Sequence, residues 1–172
     1  RQLLDEALAL DPDYAPALAA SAQAVLLLNN RISGYGDIPV DRAAAMAQPL
    51  LDHALALDPK LAEAHAAQGM LFLQQGDSAR GEASLARALA LNPNLADALH
   101  WQAGMHNDAG RLRDHLAVRQ RLAEIDPLNV ANLLNLNFAL RDSGKRTEAE
   151  AVATRLLRAF PDNPQGYGAR AL

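Results

Sequence analysis

Five apolar, helix-like stretches of this chain end in a two-residue stop whose second member is proline: Asp11-Pro12, Asp58-Pro59, Asn92-Pro93, Asp126-Pro127 and Phe160-Pro161. The last four prolines recur every 34 residues. Proline lacks an amide donor and pushes the residue before it out of the α region, so each stop closes a helix. A fixed period of that length is one supersecondary unit copied along the chain. Such a unit cannot bury its apolar face alone and must stack on its neighbours. Function is then expected on a surface rather than in a catalytic centre.

The residue types agree. Half of the 172 residues are hydrophobic but only 4% are aromatic, and the apolar content is mainly Ala and Leu, which suits closely packed helices better than a sheet. Leu85, Ala88, Leu89 and Leu91, like Leu3, Leu4, Ala7, Leu8 and Leu10, form one stripe of a 3.6-residue helix. Gly76, Gly110 and Gly144 fall at the turn between two helices, where a positive φ costs glycine little. Gly69 and its counterparts Ala22 and Ala103 are small enough to let the helices of a hairpin approach closely.

With the stop proline at the thirty-second place of the unit, the register divides the chain as follows. Residues 1–14 end a preceding repeat, 15–61 form a repeat with an insertion at 29–41, and 62–95, 96–129 and 130–163 form three more. Residues 164–172 start a further helix. Gly34, Tyr35, Gly36 and Pro39 give the insertion a loop composition. It is either a tolerated surface insertion or an element that folds over a binding face. The chain opens at Arg1, inside a second helix, so it is expected to be a piece of a longer protein.

In the second unit Gly69 and Gly76, aromatic Phe72 and small Ala88 match the tetratricopeptide family, with Leu85 and Gly81 as departures. The resemblance covers nearly all of the chain. It implies an all-α fold, a right-handed superhelical solenoid of antiparallel helix-turn-helix repeats whose first helices line a concave groove. More narrowly, the Tyr35-Gly36-x-x-Pro39 loop looks like the tetratricopeptide regions of bacterial signalling proteins that carry a winged-helix, cyclase or kinase domain. That implies the scaffold or sensor part of a larger bacterial regulator, in signalling or transcription regulation.

By the family's register the groove-lining positions are Gln23, Leu26 and Leu27 in the first unit and Glu63, Ala66, Met70, Leu73 and Gln74 in the second. They continue with Asp97, His100, Gly104, Asn107 and Asp108 in the third, and Ala131, Leu134, Phe138, Arg141 and Asp142 in the fourth. Family members that clamp a terminal carboxylate use lysines and asparagines at such positions. None here is lysine, so that ligand is not expected. Met70, Leu73, Leu134 and Phe138 point instead to the apolar side of a bound helix or extended peptide, the other reading being that they pack between helices. Trp101, one place beyond this set, is either an interface anchor or a filler between repeats.

The third unit departs from the pattern, with His106, His115 and Arg119 at positions of aromatic, alanine and aromatic; Asn137 holds the small position of the fourth. His106 and His115 should face each other across one hairpin, as a metal or pH-sensitive site or as a polar pair bonded to neighbours. No third ligand has a credible spacing, so no metal is expected. No phosphate-cradling glycine loop, metalloprotease helix or serine nucleophile elbow occurs. The chain reads as non-enzymatic, with no cofactor.

Net charge is −4, divided as −7 over residues 1–110 and +3 over 111–172. This acidity argues against direct nucleic-acid contact. The uneven charge suits a bipolar binding surface, a possible homo-oligomer joined head to tail, or an ordinary solvated surface. No apolar run approaches the roughly 18 residues of a membrane span, so no membrane partner is expected and the chain reads as soluble. Cysteine is absent, which suits the cytoplasm, the expected compartment, and the periplasm equally. The leading expectation is a module that binds a protein or peptide; the alternative is an oligomerisation module joining copies through open solenoid ends.

Overall fold

A computed structural model describes residues 2–28 and 38–171. Ten α-helices and no strand occur among them: α1 (Gln2–Leu10), α2 (Ala15–Leu27), α3 (Val40–Leu57), α4 (Ala62–Gln74), α5 (Ser78–Leu91), α6 (Ala96–Asp108), α7 (Leu112–Ile125), α8 (Val130–Asp142), α9 (Arg146–Ala159) and α10 (Pro164–Ala171). They divide into two compact units, Arg1–Trp101 and Gln102–Leu172, with α6 contributing to both.

The recurrent stop has a local cause. The residue before each proline is driven into extended backbone, with φ −133° and ψ 93° at Asp58, −133° and 94° at Asn92, and −136° and 76° at Phe160. At three of the four stops where that residue is Asp or Asn, its side chain reaches over the proline to the amide two places on. Asp11 Oδ1 accepts from Asp13 N (3.1 Å), Asp58 Oδ1 from Lys60 N (2.8 Å) and Asn92 Oδ1 from Asn94 N (3.2 Å). This Asx turn replaces the backbone bond that proline removes.

The hairpin turns are equally local. Gly76, Gly110 and Gly144 have φ of 82°, 68° and 74°. Around Gly76 the Asp77 amide donates to the Phe72 carbonyl (2.9 Å) and the Gly76 amide to the Leu73 carbonyl (3.0 Å). The same pair of bonds recurs at Gly110 and Gly144. This arrangement closes the carbonyl end of the first helix and needs a left-handed residue at its centre.

Asp77 then caps α5, accepting from the Arg80 amide (3.0 Å) and from Arg80 Nε (2.6 Å). The backbone bond first, and the guanidinium second, hold its carboxyl below the usual value of 3.8. Because the folded value is the lower one, the charged cap stabilises fully above the unfolded value and its contribution is lost as pH falls through the folded one. Asp77→Ala is expected to lower the melting temperature at pH 7, and the gap from the parent chain should narrow as acid protonates the capping carboxylate. A constant gap in melting temperature across an acid titration would contradict this cap.

Of the loop expected at 29–41, residues 29–37, including Gly34, Tyr35 and Gly36, lie outside the described residues. Val40 and Asp41, expected in that loop, are instead the first turn of α3. Pro39 caps this turn with φ −57°, and Asp41 places a carboxylate in the positive end of the helix. Helix α3 therefore runs longer than the other second helices. It also passes through Pro49, whose missing donor frees the carbonyl of Ala45, an exposed residue one turn earlier.

In the first unit, α2, α3 and α4 share a core of Ala22, Val25, Leu26, Ala43, Ala44, Ala47, Leu51, Ala67, Met70 and Leu71. A second cluster joins Ala15, Leu18, Ala19, Ala54 and Ala64, and a third joins Ala66, Leu85, Ala88 and Ala98. Alanine dominates because helix axes close together leave room for little else. The second unit has its own core of Leu116, Ala123, Leu136, Ala139, Leu140 and Ala149.

Candidate functional site

Three pairs of positions, each twelve residues apart across a hairpin, show how the polar departures are accommodated. In the first unit the pair is Gly69 and Gly81, and the backbones meet so closely that a Cβ on Gly69 would lie 2.7 Å from Leu85 Cγ and 3.3 Å from the Gly81 carbonyl oxygen. In the second unit His115 occupies the second position of its pair and donates from Nδ1 to the Ala103 carbonyl (2.7 Å). In the next hairpin the polar residue is on the other helix, and Asn137 Nδ2 donates to the Ala149 carbonyl (2.7 Å). Both side chains are buried, so these bonds offset desolvation that would otherwise cost about 1–3 kcal/mol each.

His115 is thus a polar core residue bonded to a neighbouring helix. No three potential ligating groups gather among the described residues. Arg119 is buried on the same helix, and burial pushes its guanidinium down to about 10, which leaves it cationic at neutral pH.

The positions mapped to the groove divide between the units. In the first, Leu26, Ala66 and Met70 are core residues, Met70 with none of its surface exposed. They do not line an open groove, because α2 and α4 are covered on more than one side by neighbouring helices. Leu73 and Gln74 are half-buried; Leu73 packs with Leu85, and Gln74 Nε2 donates to the Leu26 carbonyl (3.1 Å). Gln23 Nε2 reaches Asp97 Oδ2 at 2.9 Å, joining α2 to α6 across 74 residues. Trp101 packs against two clusters, one centred on α2–α4 and one on α4–α5. It fills space between repeats, with the exposed His100 ring nearly perpendicular to it at 5.4 Å between ring centroids. Leu27, Glu63 and Asp97 are exposed.

In the second unit the mapped positions face outward. Gly104 is half-buried, yet a Cβ added to it would meet nothing within 4 Å, and Asn107 and Asp108 are exposed. On α8, Ala131, Phe138 and Asp142 are exposed, while Leu134 and Arg141 are half-buried. Spaced at three and four residues, these five share one helix face. Phe138, at 49% exposure, stands out because a phenyl ring is seldom left in water.

An open depression of about 830 Å³ in the first unit is lined by Val40, Asp41 and residues 74–80. Arg80, the cation at its wall, is engaged by Asp77 and lies 4.4 Å over the Phe72 ring. A small cavity of about 90 Å³ in the second unit is lined by Arg141, Arg146, Ala149, Glu150, Ala169 and Arg170. Of these, the family's register points to Arg141 but not to Arg146 or Arg170. The latter belong to α9 and α10, and only the packing of three helices brings them to one place.

No protein-family model matches the chain, and no curated protein is similar to it in sequence. Solved structures do share its fold. A MamA protein superimposes with a TM-score of 0.62 at 20% identity, over 92% of this chain and 79% of that one. PilW, a widely conserved type IV pilus biogenesis factor, gives 0.68 at 23% identity over 96% and 71%. YrrB, described as a TPR protein with an unusual peptide-binding site, gives 0.53 at 17% identity over 98% of both chains.

Proposed function

From the premise that the chain has the all-α tetratricopeptide fold, we propose that it is a protein–protein interaction module whose second unit docks a peptide segment on the outward face of α8. The observation that carries this reading is the exposed Phe138, set beside half-buried Leu134 and followed by Arg141 and Asp142. An aromatic ring with a polar surround is a common anchor for a bound chain. The peptide-binding site named for YrrB supports the same reading by likeness of fold. Binding rather than catalysis is favoured by the use of His115 and Asn137, buried in the core with Nδ1 of the first and Nδ2 of the second donating to helix carbonyls. A place in a larger bacterial regulator rests on the Tyr35-Gly36-x-x-Pro39 resemblance alone.

The test is selection from a random-peptide display library. Peptides enriched on the parent chain are expected to bind Phe138→Arg at least about tenfold more weakly, since that change removes the anchor. Phe138 is exposed, so helical circular dichroism and melting temperature should stay near the parent values. Equal binding by the folded variant, or no enrichment at all, overturns the reading.

A further inference from the structure

The small cavity beside α8 carries a more specific statement about the partner. Three arginines, Arg141, Arg146 and Arg170, line it together with one acidic residue, Glu150. None of the three forms an ion pair among the described residues. Arg141 Nη1 makes a long bond to the Ala169 carbonyl, at 3.4 Å, so most of the donors in the group remain open to an acceptor. Ala149 and Ala169, which line it, are buried, and an anion in this partly enclosed place would be less screened than on an open surface.

We propose that this cavity receives a side-chain carboxylate of an acidic peptide whose apolar residues lie on Leu134 and Phe138. The proposal rests on the docking face of α8 put forward above. Phe138 and Arg141 are three residues apart and share that face, so one bound segment reaching both would carry an apolar and an acidic side chain close together. The volume, near 90 Å³, is about that of three waters. That suits a carboxylate, and Glu150 at the wall repels a dianion more than a monoanion. The net charge of +3 over residues 111–172 complements an acidic partner.

In the library selection, the parent chain should enrich Asp or Glu at a constant spacing from Leu, Phe or Trp. An Arg146→Gln/Arg170→Gln variant, altered at two exposed side chains, should fold normally and lose the acidic preference. It should bind a parent-selected peptide about tenfold more weakly and with a flatter salt dependence. Apolar enrichment without acidic residues overturns this inference and leaves the α8 docking face standing. Indifference to Phe138→Arg overturns the docking face itself. Replacing the selected Asp by phosphoserine should weaken binding; tighter binding would overturn the preference for a carboxylate.

Discussion

Met70→Arg is expected to unfold the first unit rather than silence a surface. Met70 has no exposed surface and lies among Ala22, Val25, Leu26, Ala47, Leu51 and Leu71. A guanidinium in that position would be a buried charge without a partner in an alanine-rich core too tight to admit water. The loss should reach about 4 kcal/mol or more, a large share of the roughly 5–15 kcal/mol that holds a domain of this kind together. Urea denaturation followed by circular dichroism would show a collapsed midpoint or no folded baseline. A variant with an unchanged midpoint would mean that Met70 lies on a surface after all. Met70 is therefore unsuitable as a probe of binding, whereas Phe138 is suitable.

Leu85→Ala and Gly69→Ala should be strongly coupled. Leu85 is fully buried, and its truncation is expected to cost about 3 kcal/mol through lost transfer energy and the cavity left behind. Gly69→Ala places a methyl 2.7 Å from Leu85 Cγ and 2.8 Å from Cδ2. The clash outweighs the gain in helix propensity, and the net loss should be about 1 kcal/mol. In the Leu85→Ala background that clash disappears and the added methyl fills part of the void, leaving only the Gly81 carbonyl at 3.3 Å to accommodate. Gly69→Ala should then be neutral or stabilising, with a coupling of about 1–2 kcal/mol. Gly104→Ala, which meets nothing within 4 Å, is the control and should not lose stability. Additive losses in the double variant would show that Leu85 does not set the size limit at Gly69.

The parts of the fold that are legible without the structure share one property: their cause lies within a few residues. Pro59 and Pro93 end helices through their own rings, and Gly76, Gly110 and Gly144 turn because no side chain opposes a positive φ. Helix α3 starts earlier than its composition suggests, because Val40 and Asp41 follow a glycine-rich stretch and a proline, which read as a loop although a proline just before a helix does not prevent the helix from starting. The exposed face of α4 is illegible for a different reason. Ala62, Ala64, Ala66, Ala67, Gly69, Met70 and Leu71 are all buried, so the helix is covered around most of its circumference and its period does not single out one inward side. Helix α8 has the same spacing but leaves Phe138 outside.

The amino-acid sequence by itself determined the repeat, its stops and its turns, since proline and glycine act on their own backbone dihedrals and an Asx side chain on the next two residues. Tertiary structure decided which of the repeated positions remain accessible. Met70 and Phe138 both occupy groove positions in the register, yet stacked helices hide the first and leave the second in solvent. The meeting of Arg141, Arg146 and Arg170 belongs to the same class, because three helices must pack before residues from separate turns share one cavity. Local torsions are written in neighbouring residues; burial and the convergence of charge depend on what lies across the helix interface.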